Sequence, residues 1–307
     1  MISRRTAFAA SLALVACHGA GTLPETSAGV VTGAYTRPEH ATPSLYVSDP
    51  VANAVVVYDA TRPGSTPVRR ITAGIDGPAG LTVDASGNLY VANTRHNTVA
   101  VYPRGSSEPV HLYSALLVGP DAVAVDTDGD IFVGNFDSFA APIVEYPAGS
   151  ESEARNAVAS QCPCFPTAIA LDSRGDLFAA YNSWYAQTVI YRYSNGSRDG
   201  RALRLDFGQQ LWEAAGMEQL GSGNLVVARS TPPAVEVFGP HGGQPRYVYH
   251  GFGMPRAVAA DAAAREIFVS DEARNEVVRL EFPSGKRSGI FSDDLRSAYG
   301  IALDARI

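Results

Sequence analysis

Glu218 stands where the chain elsewhere places small or apolar residues. It lies in GMEQL, residues 216–220, whose counterparts are GLTVD at 80–84, AVAVD at 122–126, AIALD at 168–172, AVAAD at 257–261 and GIALD at 300–304. A carboxylate and an amide in a strand packed near an axis are costly unless solvated or paired, so Glu218 and Gln219 are expected to face a central opening. Asp121, two places before the core of AVAVD, and Glu213, just before GMEQL, could join Glu218 as a carboxylate cluster. Such a cluster could hold a hard divalent cation, which takes about six or more oxygen ligands converging from different parts of the chain.

Cysteine is the second reactive type. Cys162-Pro163-Cys164 brings two thiols close enough for a strained disulfide in an oxidising compartment, while as metal ligands they fill only two of four positions. A structural disulfide or inert thiols is the expected role. Cys17 follows Leu14-Val15-Ala16, the small apolar pattern of a bacterial lipobox. Before it come Arg4, Arg5 and an apolar run, Ala7 to Ala16, too short to span a bilayer. Residues 1–16 therefore read as a lipoprotein signal peptide with Cys17 as the lipidated residue. Residues 17–43, rich in Gly, Thr, Ala and Pro, read as a flexible tether. Without residues 1–16 the formal charge moves from 24 − 31 = −7 to 22 − 31 = −9, which argues against a nucleic-acid partner. His-Glu-x-x-His, Gly-x-Ser-x-Gly and phosphate-cradling glycine loops are absent, so no catalytic residue and no metal-ligand set is assigned.

The elements that position these residues come from a repeat. SLYVSD (44–49), GNLYVAN (87–93), GDIFVGN (129–135), GDLFAAYN (175–182), GNLVVAR (223–229) and REIFVSD (265–271) are near-copies. Their strands start at 45, 89, 131, 177, 225 and 267, steps of 42 to 48 residues. The second unit reads GLTVD, a turn, LYVAN, TVAVYP and PVHLYS: four short strands with period-two alternation and turn residues between them. Four strands per unit of this length predict an all-β, six-bladed β-propeller over residues 44–307. The first unit lacks a leading strand and the last ends on GIALD, so the C-terminal strand is expected to pair into the N-terminal blade and close the ring. DTDGD at 126–130 has the look of a calcium loop but aligns with DASGN and DSRGD, and reads as a hairpin turn like them.

These residues resemble NHL-repeat propellers, and LYVANTRHNTVAVY (89–102) also resembles the YVTN repeat; the likeness covers about residues 45 to 304. The repeats are distantly similar to six-bladed gluconolactonase-like enzymes as well. That resemblance implies a divalent cation held by an Asn, an Asp and a Glu that precedes Gly-Pro, and here only Asp121 matches in kind.

In such a ring, residues closing each LYVAN-type strand and those leading each inner strand share one face. They are expected to form a binding rim: Asp49, Asn93, Arg95, Asp121, Asn135, Tyr181, Asn182, Trp184, Glu213, Glu218, Arg256 and Asp271. The ring two places before each LTVD core reads Ala79, Asp121, Thr167, Ala215, Arg256 and Tyr299. The chain therefore reads as a monomeric, exported binding module without a cofactor, anchored in the cell envelope by lipid, with a protein, peptide or glycan ligand on its loop face. The competing expectation is a metal-dependent lactonase or lyase built on Asp121, Glu213 and Glu218.

Overall fold

Among the described residues of the computed structural model, strands group into six four-stranded antiparallel sheets. Those residues are 42–138, 140–158, 164–182, 188–197, 199–203, 205, 213–261 and 263–304. Trp184, Cys17 and Cys162 lie outside them. The chain divides into residues 1–39 and 40–307.

Blade I takes β1 (Ser44–Asp49), β2 (Ala54–Asp59) and β3 (Arg69–Ile71). Blade II is β4 (Pro78–Val83), β5 (Leu89–Asn93), β6 (Thr98–Tyr102) and β7 (His111–Tyr113). Blade III is β8 (Pro120–Val125), β9 (Ile131–Asn135), β10 (Ile143–Tyr146) and β11 (Arg155–Asn156). Blade IV is β12 (Phe165–Leu171), β13 (Leu177–Asn182), β14 (Val189–Tyr193) and β15 (Arg201–Leu203). Blade V is β16 (Glu213–Gln219), β17 (Leu225–Thr231), β18 (Ala234–Phe238) and β19 (Pro245–Tyr249). Blade VI is β20 (Pro255–Ala260), β21 (Glu266–Asp271), β22 (Glu276–Glu281) and β23 (Lys286–Phe291). The last strand, β24 (Ile301–Asp304), returns to blade I as its innermost member.

Closure is a matter of register. Leu45 lies opposite Leu303 and Val47 opposite Ile301. Ser48 fixes the junction, because its Oγ accepts from the Gly300 amide at 2.7 Å and donates to the Ala79 carbonyl of blade II at 2.6 Å. Analogous hydroxyls tie other inner strands together: Thr94 to Pro120, Thr167 to Ala214 and Ser270 to Tyr299, each to a carbonyl at 2.6 to 2.8 Å. Blades meet so closely here that a Cβ on Gly300 would come within 2.1 Å of the Ala79 carbonyl, and one on Gly80 within 2.6 Å of that of Asp121. Glycine at these two points is required by space.

Alternation along each strand turns apolar side chains onto both neighbouring blades, so the core is distributed as clusters between blades rather than gathered in one mass. Val47, Val56 and Tyr58 pack on Phe268, Val277 and Phe291 of blade VI; Val99 and Tyr113 pack on Val133 and Tyr146 of blade III. The third strands end on Tyr58, Tyr102 and Tyr146, whose hydroxyls donate to the carbonyls of Asp293, Ala73 and Ala115 in the loops that lead to inner strands. Blade V has Phe238 at this point and cannot make that bond.

The DTDGD segment is a hairpin. Asp126 Oδ1 accepts from the Asp128 and Asp130 amides at 3.0 and 2.9 Å, as Asp84 does from Ser86 and Asn88, and Asp172 from Arg174 and Asp176. These short bonds to its own turn are what a carboxylate in this position does.

Candidate functional site

Pro78 pairs with Asn93 and Pro120 with Asn135, so each inner strand starts on the face where the second strand ends. The blade-to-blade loops and the second-to-third-strand turns therefore share one face, the loop face. Along the axis beneath it runs a channel of about 290 Å³, lined by the six inner strands. Five of the six expected ring residues, Asp121, Thr167, Ala215, Arg256 and Tyr299, border it, while Ala79 does not.

The expected rim of strand-end residues is not what this face presents. Asp49, Asn93, Asn135 and Asp271 are fully buried. Asp49 accepts from the amides of Ala52 (2.8 Å) and Arg296 (2.7 Å), and Asp271 from those of Gly253 (2.7 Å) and Met254 (2.8 Å). Asn93 accepts from the Asp76 amide at 3.1 Å and donates to the Gly74 carbonyl at 2.8 Å; Asn135 does the same with Val118 and Leu116. These four side chains fasten the loop that leads into each inner strand and leave no polar atom facing outward, a correction to their assignment as ligand contacts.

Tyr181 is buried too, its hydroxyl 3.1 Å from that of Tyr193, and Asn182 accepts from Thr188. Arg95 is exposed, with its aliphatic stem against Gly77. Cys164 is disulfide-bonded.

A polar cluster does form at the channel mouth. Arg256 donates to Glu272 Oε2 at 2.6 Å and to Glu213 Oε1 at 2.8 Å, and its guanidinium lies 5.3 Å from the centre of the Tyr299 ring. Ser230 donates to Glu213 at 2.8 Å and Ser297 to Glu272 at 3.3 Å. Tyr299 donates to Asp121 at 3.3 Å. Burial lifts the Asp121 carboxyl to about 6, against the pull of the Tyr299 hydrogen bond and the Arg256 charge. The Asp121 charge and then burial push the Tyr299 hydroxyl well above its ordinary range.

Glu218 sits apart from this cluster, three residues beyond Ala215 on β16. The corresponding positions of the other inner strands are Thr82, Ala124, Ala170, Ala259 and Ala302, and all six border the channel. Among the described residues no hydrogen bond or ion pair answers its carboxyl, which is half-buried on the channel wall, and desolvation raises it to about 7. Beside it, Gln219 Oε1 is buried with no donor.

The carboxylates do not converge as a metal site. Glu213 is held by Arg256, Asp121 by Tyr299, and Glu218 lies deeper. Among the described residues no three His, Cys, Asp or Glu side chains are placed to hold an ion.

The spacing located Asp121, Arg256, Glu213 and Glu218 but passed over Glu272 and Ser297, which sit in loops outside the repeat. It also passed over exposed apolar residues on the same face. Val51, Leu116, Val118, Phe136 and Met254 are exposed, and all five lie in loops of the loop face. Phe136 stacks on Phe165 at 5.0 Å, so its ring is held in place. The signal available was an apolar residue just outside some of the strand ends, which turn chemistry does not call for.

The NHL repeat family matches residues 76–102, the turn and strands of blade II. This is a six-bladed β-propeller with an NHL repeat. The propeller is similar to a chain from the crystal structure of a nidogen/laminin complex, with 18% identity and a TM-score of 0.73, covering 86% of this chain and all of that one. It is also similar to the hydrazine synthase of Kuenenia stuttgartiensis, with 14% identity and a TM-score of 0.52, covering 82% of this chain and 80% of that one. No curated protein matches the sequence. At these identities the likeness describes the fold, and function has to be argued from the site.

Proposed function

We propose that the propeller is a protein- or peptide-binding module that uses its loop face, held at a membrane surface by lipid on Cys17. The observation that carries this reading is that the loop face exposes the apolar side chains of Val51, Leu116, Val118, Phe136 and Met254 and also bears the polar channel mouth of Arg256, Glu213, Glu272 and Asp121. Exposed apolar side chains on the same face as a few oriented polar groups suit a macromolecular partner better than a sugar, whose many hydroxyls need more donors and acceptors than those apolar residues offer. The nidogen/laminin complex supports the same class of partner, since by its name it assembles protein with protein on this fold.

The lactonase or lyase reading has less support, because the guanidinium of Arg256 stands between Glu213 and Glu272, where a cation would need open carboxylates.

The test places a photo-crosslinking residue at Phe136 and at Met254 in the producing cell, with Val68 and Val110 as controls near the opposite face. Defined adducts from the first pair and none from the second are expected. Equal yields from both pairs, or none from either, would remove the loop face as the binding surface.

Anchoring is tested separately. Cys17→Ser is expected to shift the protein from the membrane pellet to the soluble fraction after cell breakage. Unchanged sedimentation would overturn the lipoprotein assignment.

A further inference from the structure

The loop that leads into blade III carries a residue that its backbone does not call for. In the loops that lead back to blade I and into blades II and III, the carbonyls of Asp293, Ala73 and Ala115 accept from Tyr58, Tyr102 and Tyr146. The residues that follow them are therefore equivalent: Asp294 (φ 62°), Gly74 (φ 69°) and Leu116 (φ 62°), all in the left-handed region. Glycine adopts that backbone freely and aspartate tolerates it, whereas leucine is disfavoured there. Leu116 does not offset this by packing, because its side chain is 53% exposed. A strained residue that adds little to the core points to a use beyond the fold.

Its surroundings indicate that use. On one side of the loop, the Gly119 amide donates to Asn97 of the blade II turn at 2.8 Å. On the other, the Phe136 and Asp137 amides of the blade III turn donate to the Gly119 and Val118 carbonyls at 2.9 and 3.3 Å, and Asn135 donates to the Leu116 carbonyl at 2.8 Å. Val118 and Phe136 are exposed beside Leu116, and the three form one apolar patch. The two turns that flank it carry opposite charges at matching places. Arg95 Cγ lies 2.7 Å from where a Cβ on Gly77 would stand, and Asp137 Oδ2 lies 2.7 Å from that point on Gly119. Both side chains are exposed, and among the described residues neither has an ion-pair partner.

An apolar centre with a cation on one flank and an anion on the other is complementary to itself. A two-fold rotation about an axis through Leu116 and Val118 sets apolar on apolar and turns each Arg95 toward an Asp137. We infer that the loop face pairs with a second copy of this chain across such an axis, in place of the monomer expected from the sequence. This rests on the loop face being the binding face, and it names the partner. Three apolar side chains and two surface ion pairs make a small contact, so the dimer is weak, with a Kd on the order of 10–100 µM.

Sedimentation velocity of the full chain carrying Cys17→Ser, from about 1 µM to about 500 µM, is expected to show monomer passing into dimer. Leu116→Gly suits the left-handed backbone, so that variant should melt no lower than wild type while dimerising at least about tenfold more weakly. Arg95→Asp and Asp137→Arg should each weaken the dimer by setting like charges opposite one another, and the double variant should restore it.

Monomer at every concentration, a Leu116→Gly chain that dimerises like wild type, or a double variant no tighter than the single ones overturns the inference. Should Leu116→Gly melt lower than wild type, the charge exchange decides. The crosslinking test separates this inference from the reading it rests on. Adducts at Phe136 of twice the chain's mass support the second copy. Adducts of other masses alone leave the loop face as the binding surface and overturn the second copy, and no adducts removes both.

Discussion

Glu218→Gln makes the propeller more stable at pH 8. Burial raises the Glu218 carboxyl from 4.5 to about 7, so the folded state holds this proton more tightly than the unfolded chain does. Wild-type stability therefore falls as pH rises from about 4.5 to about 7 and is level above that, as far as this group decides it. The full difference corresponds to at most about 3 kcal/mol, since each unit of pKa is about 1.4 kcal/mol, and channel water reduces it because Glu218 is half-buried. Glutamine resembles the protonated side chain at every pH, so the variant escapes that loss. For a domain of this size the gain is a few degrees in Tm, with about 6 °C as the rise for about 2 kcal/mol. Thermal melts followed by circular dichroism at pH 4.5 and pH 8 check it, with the two proteins expected to coincide at the lower pH and separate at the higher. A variant less stable at both would mean that Glu218 has a donor in the folded protein, and the channel would need another account.

Removing residues 298–307 has the larger effect, in the opposite direction. It takes away β24, whose Ile301 and Ala302 are buried in the clusters that join blade I to blades VI and II. The backbone of β1 from Ser44 to Val47 loses its partners, and Ser48 loses the Gly300 amide. A cavity where Ile301 stood, an open sheet edge and several unpaired buried backbone groups together cost on the order of 5 kcal/mol or more, comparable to the whole stability of an ordinary domain. Urea unfolding should show the truncated chain without a cooperative transition near the wild-type midpoint. A truncated chain that unfolds like wild type would show that β24 is dispensable and that the ring does not depend on it.

The repeat was legible because a blade is specified locally. Alternation in LYVAN, the Gly-Asn turn before it and the aspartate that opens its hairpin all act within about ten residues, and the structure places Leu89, Gly87 and Asp84 accordingly. The closing strand was legible from the same pattern, because an inner strand at the end of the chain with no unit after it has one open place, beside β1. The axial ring followed too. Once six inner strands converge, the residue two places before each core must meet its counterparts, and Asp121, Arg256 and Tyr299 do.

The strand-end residues show the limit. Asp49, Asn93, Asn135 and Asp271 have the residue types of a polar rim, and sequence gives the same letters to a side chain that faces solvent and to one turned inward onto a loop. Which of these occurs depends on the path of the loop from the preceding blade, a contact between segments 17 to 247 residues apart. Glu213 illustrates the same limit. Its spacing matched a carboxylate cluster with Asp121 and Glu218, but the neighbouring blade supplies Arg256, and Glu272 completes a pair around it.

By itself, the sequence determined the six-bladed all-β ring, its closure, and the anomaly of a carboxylate in the inner strand of blade V. All three follow from short-range periodicity and from counting. Only the tertiary structure decided that the strand-end acids and amides brace loops, that Arg256 occupies the mouth between two glutamates, that exposed apolar residues share that face, and that Glu218 borders the channel. Those outcomes depend on which side chains from different blades come within hydrogen-bonding distance, and that is set by the curvature of the closed ring.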